Sequence, residues 1–140
     1  MKVFNCILIS IILFSCSAEY ELNEIDYSVL FHDNNSKVWL IDEINRDGKN
    51  YAPLVRKQRD IIIFYKSDRV VLTNLNEISY SKGNKANFSI DSDEKIIEVT
   101  FEKVKWKYHF ESIEDQKIIL KPFPNNKDQF ELILIPLPEF

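Results

Sequence analysis

The sequence predicts an all-β domain: a small up-and-down antiparallel β-barrel of about eight strands. Three observations carry this. From Lys37 onward apolar residues recur at every second position, in short runs separated by polar turn residues. No stretch holds a 3.6-residue apolar period for three helical turns. The connections are short, which makes sequential hairpins the simplest topology, and closure would hide the edges of so apolar a sheet.

The elements follow in order. Residues 16–35 read as a tether and lead-in, with a polar and acidic start, Ser17-Ala18-Glu19-Tyr20-Glu21. Ile25, Tyr27, Val29 and Phe31 then alternate with polar or small residues, which fits a short strand packed on the domain or one helical turn capping it. His32-Asp33-Asn34-Asn35-Ser36 is turn chemistry. The barrel domain is expected over 36–140. Val38-Trp39-Leu40-Ile41 opens its first strand, which ends near Ile44, and a loop around Gly48 and an irregular stretch broken by Pro53 follow. Ile61-Ile62-Ile63-Phe64-Tyr65 is β-branched and aromatic throughout, and Lys66-Ser67-Asp68-Arg69 turns it back into Val70-Val71-Leu72. A short strand is expected over 78–80, before Gly83-Asn84. Phe88-Ser89-Ile90 precedes an acidic turn, and Ile96, Ile97, Val99 and Phe101 form the next strand.

The clearest alternation comes next. Val104, Trp106, Tyr108 and Phe110 point one way, and Lys103, Lys105, Lys107, His109 and Glu111 the other. The apolar phase is odd at Val99 and Phe101 and even from Val104, so a tight turn or bulge must absorb the slip at Glu102-Lys103. Ile118-Ile119-Leu120 is ended by Pro122 and Pro124, and a last strand over 130–135 is closed off by Pro136 and Pro138.

The N-terminus has a different character. Met1-Lys2 precedes an apolar run over 3–14, and Ser15-Cys16 ends it. A short cationic start, about a dozen apolar residues and a small residue before the break make a secretory signal. The run is shorter than the roughly 20 residues of a membrane-spanning helix. The tetrad Leu13-Phe14-Ser15-Cys16 resembles the lipobox of bacterial lipoproteins. The resemblance implies a signal peptide over 1–15, cleavage between Ser15 and Cys16, and fatty acylation (palmitate among the chains) at Cys16. It implies a protein anchored in the cell envelope by its acyl chains, on the outer membrane and facing either periplasm or surface.

Composition bounds the rest. Removing fifteen residues from 140 leaves 125, one domain's worth of chain. The charge is −4, or −5 without Lys2, a poor match for nucleic acid. After such cleavage Cys16 is the only cysteine left, so the mature chain has no internal disulfide and its core alone must hold it.

Lys37-Val38-Trp39-Leu40-Ile41-Asp42-Glu43-Ile44 with Gly48-Lys49, the Phe64-Tyr65-Lys66-Ser67-Asp68-Arg69-Val70 hairpin, Trp106-Lys107-Tyr108-His109-Phe110 and Gln116-Lys117-Ile118-Ile119-Leu120 together resemble small bacterial lipocalin-like domains over about residues 36–135. The resemblance implies the barrel fold. Two features depart from it. Lys37 stands where the family's Gly-x-Trp has glycine, and no arginine follows Arg69 to cover the tryptophan from the last strand.

Motifs for chemistry are sparse. His32, in a turn, and His109, on a wet strand face, are the only histidines and form no zinc set; no metal or cofactor is expected. Asp91-Ser92-Asp93-Glu94 has Ile96 where a calcium loop needs glycine, which leaves a hairpin turn. Asp42-Glu43 and Glu114-Asp115 are adjacent carboxylates of the kind that acid–base catalysis uses, and nothing in the sequence brings them to one cleft. The inward aromatic set, Trp39, Phe64, Phe101, Trp106, Tyr108, Phe110 and Phe130, is the remaining handle. Trp39, Phe64, Trp106, Tyr108 and Phe110 are the candidates for an interior pocket, in a barrel with room for side chains or one small ligand.

The expectation is a lipid-anchored, non-enzymatic binding or scaffold module for a small apolar ligand or an envelope protein partner. Two rivals stand beside it. One is an immunity or inhibitor lipoprotein acting on a periplasmic toxin or hydrolase; the other is a carboxylate enzyme working in the barrel mouth.

Overall fold

The computed structural model describes residues 25–78, 83–126 and 128–137. One short helix, α1 (Ser28–His32), precedes nine strands: β1 (Ser36–Arg46), β2 (Lys49–Asn50), β3 (Asp60–Tyr65), β4 (Arg69–Asn74), β5 (Asn84–Asp91), β6 (Ile96–Thr100), β7 (Lys105–Ile113), β8 (Lys117–Pro122) and β9 (Glu131–Pro136). Each strand from β3 to β9 pairs antiparallel with the next, β3 pairs with β1, and β1 pairs with β9. The result is a closed up-and-down barrel of eight strands, with β2 added as a two-residue hairpin arm on β1. Asp47 and Gly48 both take positive φ (51° and 74°), the twist that a two-residue hairpin needs.

Register explains the sequence pattern. Trp39 pairs with Ile62, Val70 with Ala86, Phe88 with Val99, Val99 with Trp106, and Leu120 with Leu132, and all of these face the bore. The slip of phase at Glu102-Lys103 is a tight turn, closed by the Phe101 N–H donating to the Val104 carbonyl at 2.9 Å. Val104 sits in that turn, 53% exposed, rather than in line with Trp106 as its parity suggested. The bulge lies elsewhere, between Ile41 and Glu43 on β1, where the register with β9 shifts.

The runs that do not alternate form a second kind of wall. The outward row Leu40–Ile61–Thr73 is itself buried, as is Ile133 on the outside of β9. Strands buried on both faces read as continuous apolar runs, which is what Ile61-Ile62-Ile63 shows. β5 to β7, by contrast, carry polar residues outward.

The lead-in is the helical turn of the two alternatives. Asp26 Oδ1 accepts the Ser28 N–H at 2.9 Å and its hydroxyl at 2.5 Å, which starts α1 and holds the Asp26 carboxyl below the usual carboxylate range. Asp33, at φ 49°, stops it and returns its N–H to the Val29 carbonyl. His32 closes this helix rather than belonging to the turn, and it is buried; its Nδ1 accepts the Asn34 N–H at 3.0 Å. Of the strand expected over 78–80, Ile78 is 3₁₀-helical and the rest falls outside the described residues.

Candidate functional site

Ser15 and Cys16, the cleavage and acylation candidates, lie outside the described residues. The interior candidates do converge. Trp39, Phe64, Tyr108 and Phe110 belong to one buried cluster, and Trp106 packs against it half-buried. The bore has little space, however. Its void, bounded by Phe64, Phe101, Trp106, Tyr108 and Leu120 among others, measures about 10 Å³, barely the volume that admits a single water.

Two rings outside the interior pocket candidates help to fill it. Phe31 drops from α1 between Phe64 and Phe110, edge to face, with centroids at 5.1 and 5.3 Å. Phe88 meets Phe64 from β5 at 5.0 Å. The alternation Ala86, Phe88, Ile90 carried the signal for Phe88, while Phe31 had only the capping-turn alternative. The Trp39 indole N–H donates to the Phe31 carbonyl at 2.9 Å, satisfying a helix-end group that the bore would otherwise strand. The cation over Trp39 comes from its own strand: Lys37 Nζ lies 4.3 Å from the ring centroid and donates to the Asp115 carbonyl at 3.2 Å. Burial raises the Tyr108 hydroxyl to about 12.

The candidate acid–base groups are scattered. Arg59 Nη1 donates to Asp42 at the bulge, while Glu43 accepts from Asn45 Nδ2 at 2.8 Å. Asp91 Oδ1 accepts the N–H groups of Asp93 and Glu94, so this carboxylate closes the hairpin turn. His109 stacks on Phe123 on the outer wall at 4.1 Å, with Lys121 and Ile96 as its cross-strand neighbours. Among the described residues no three His, Cys, Asp or Glu side chains are grouped to hold a metal ion. Lys105 and Lys107 both reach Glu98 on β6, at 2.8 and 3.7 Å, so the two lysines share one carboxylate.

Open concave space lies outside the bore. A groove of about 710 Å³ runs over the outer face of β3, β4 and β5, with Ile63, Val71, Ile78 and Phe101 among its apolar lining and Arg69 and Lys85 at its edge. A second hollow of about 690 Å³ shares Lys85, Phe101 and Glu102 with it and continues past Val104 and Trp106 to the barrel mouth. Both sit at a seam. β5 pairs with β4 from Asn84 to Asn87, but with β6 only from Asn87 onward. Residues 84–86 are therefore laddered on one side.

Comparison with protein-family models, with curated proteins and with solved structures finds no match. Among the described residues no helix is long and apolar enough to cross a membrane.

Proposed function

We propose that this protein is a lipid-anchored, non-enzymatic module of the bacterial cell envelope that binds through its outer wall. The observation that carries the second half is the filled bore: a void of about 10 Å³ leaves no place for an apolar ligand among Trp39, Phe64, Tyr108 and Phe110. Binding then falls to the grooves outside, where the concave space lies. The first half rests on Leu13-Phe14-Ser15-Cys16 and its likeness to a lipobox. Two or three acyl chains at Cys16, each buried CH₂ contributing about 0.8 kcal/mol, make a stable anchor.

Intact mass spectrometry of the protein extracted from bacterial membranes tests the anchor. The expected mass is that of a chain beginning at Cys16 plus its acyl groups. A chain that retains residues 1–15, or one with an unmodified thiol at Cys16, overturns the reading.

A further inference from the structure

We infer that the outer groove over β3, β4 and β5 is a binding site for an amphipathic anion: a phosphate or carboxylate head joined to an apolar chain. This deepens the outer-wall reading above and rests on it. It does not depend on the anchor.

The two cations at the groove are the first argument. Arg69 pairs in register with Asn87, and Lys85 with Val71 one step along, so the two charges stand diagonally across the outer face of one hairpin. Among the described residues neither has a carboxylate partner, whereas Lys105, Lys107, Lys121 and Arg59 all do. Arg69 is also held in place. Its Nε donates to the Ser67 hydroxyl at 3.0 Å, and its guanidinium lies 5.3 Å from the Tyr65 ring centroid. The terminal nitrogens of the fork remain for an oxyanion.

The floor is the second argument. Ile63, Val71, Ile78 and Phe101 give the groove an apolar bed beside the charges. Glu102 stands at the lip shared with the mouth hollow, and there it repels a negative head. The head therefore goes to Arg69 and Lys85 and the chain to the bed. A volume of about 710 Å³ is that of a small-molecule cleft. A stable protein interface needs a broader face, about 800 Å² from each partner.

Titration of the full chain with dodecyl phosphate below its micelle concentration, followed by calorimetry and by amide NMR, tests the site. Saturable binding is expected, with shifts at Arg69, Val71, Lys85 and Phe101. R69E/K85E should weaken it at least tenfold and the milder R69Q/K85Q severalfold, while K121E on the far wall leaves it unchanged. An unaltered amide spectrum elsewhere shows that each variant is folded. Equal affinity for inorganic phosphate, equal affinity for dodecanol, or indifference to both double variants overturns the proposal. Vesicles of phosphatidylglycerol as competitor then assign the source. Competition makes the ligand a membrane lipid headgroup, and its absence makes it a soluble amphiphile; both keep the site. Loss of binding with an acylated Cys16 breaks this inference and spares the anchor.

Discussion

The two ends of the barrel are closed by different means. At one end α1 drives Phe31 into the bore, fully buried, where Phe64 and Phe110 flank it, Tyr27 meets Phe110 edge to face, and the Trp39 indole ties the Phe31 carbonyl. At the other end no such plug is found among the described residues. Phe101 and Trp106, ring centroids 4.8 Å apart, are half-buried, and Tyr51 meets Phe130 on the rim at 5.5 Å. The sheet is also less complete there, since β6 ends before it reaches residues 84–86. The contrast teaches where packing is densest: an aromatic plug fills the bore beside α1, the rings at the seam end stay half-buried, and hollows line the outside at both ends, about 690 Å³ at the seam and about 580 Å³ beside α1.

Perturbing each end tests that division. The largest effect is expected from Phe31→Ala, a cavity in the plug that costs about 3–5 kcal/mol in a denaturant melt. Phe101→Ala should cost well under half as much, because its ring is already partly in water. Equal losses would erase the distinction between the ends.

Gly83→Ala probes the one tight point of the seam end. A Cβ there would stand 2.8 Å from Val71 Cγ1 and 2.9 Å from the Leu72 carbonyl oxygen, so β4 and β5 must separate. A loss of about 1–3 kcal/mol is expected, with faster amide exchange confined to β4 and β5. If protection falls equally in α1, the two ends are not independent.

Tyr108→Phe sharpens the picture of the interior between them. The hydroxyl ionises at about 12 in the fold and near 10 in the unfolded chain. Its stabilising effect is complete below pH 10 and fades as pH rises toward 12, because the unfolded state then releases a proton that the folded state keeps. The phenylalanine variant should therefore hold its melting temperature better than the parent between pH 10 and 12. An unchanged alkaline transition would place Tyr108 in water.

The smallest effect belongs to the outer wall between the ends. The hydrogen bond from Lys105, and then the charges of Lys105 and Lys107, hold Glu98 below the usual carboxylate range. Its contribution is present above the unfolded carboxylate value and disappears as pH falls through the lowered one. Glu98→Gln should cost roughly 0.5 kcal/mol at neutral pH and flatten the acid limb of the stability profile. A cost of several kcal/mol would mean that this exposed pair matters as much as the plug.

Much of the wall was legible in the residues. Period two along Trp106, Tyr108 and Phe110 named the inward face of β7, and the change of parity at Glu102-Lys103 located its turn. The bulge at Asp42 was hidden, because Ile41, Asp42, Glu43 and Ile44 read equally well as a plain strand; only pairing with β9 exposes the extra residue. Phe31 was ambiguous for a related reason. Four apolar residues at alternate positions fit a strand and a capping turn alike, and the choice depends on a bore that exists only once β1, β3 and β7 are assembled. The outer groove was not legible at all. Arg69 and Lys85 are sixteen residues apart and become neighbours through the β4–β5 register alone.

By itself the sequence determined the class of fold, the short-range hairpins and the inward aromatic rings, because strand periodicity and turn chemistry are local properties of a chain. Tertiary structure decided that those rings fill the bore rather than line a pocket, that Lys37 covers Trp39, and that Arg69 and Lys85 come together beside an apolar bed. These are matters of volume and cross-strand register, and both are set by residues far apart in the chain.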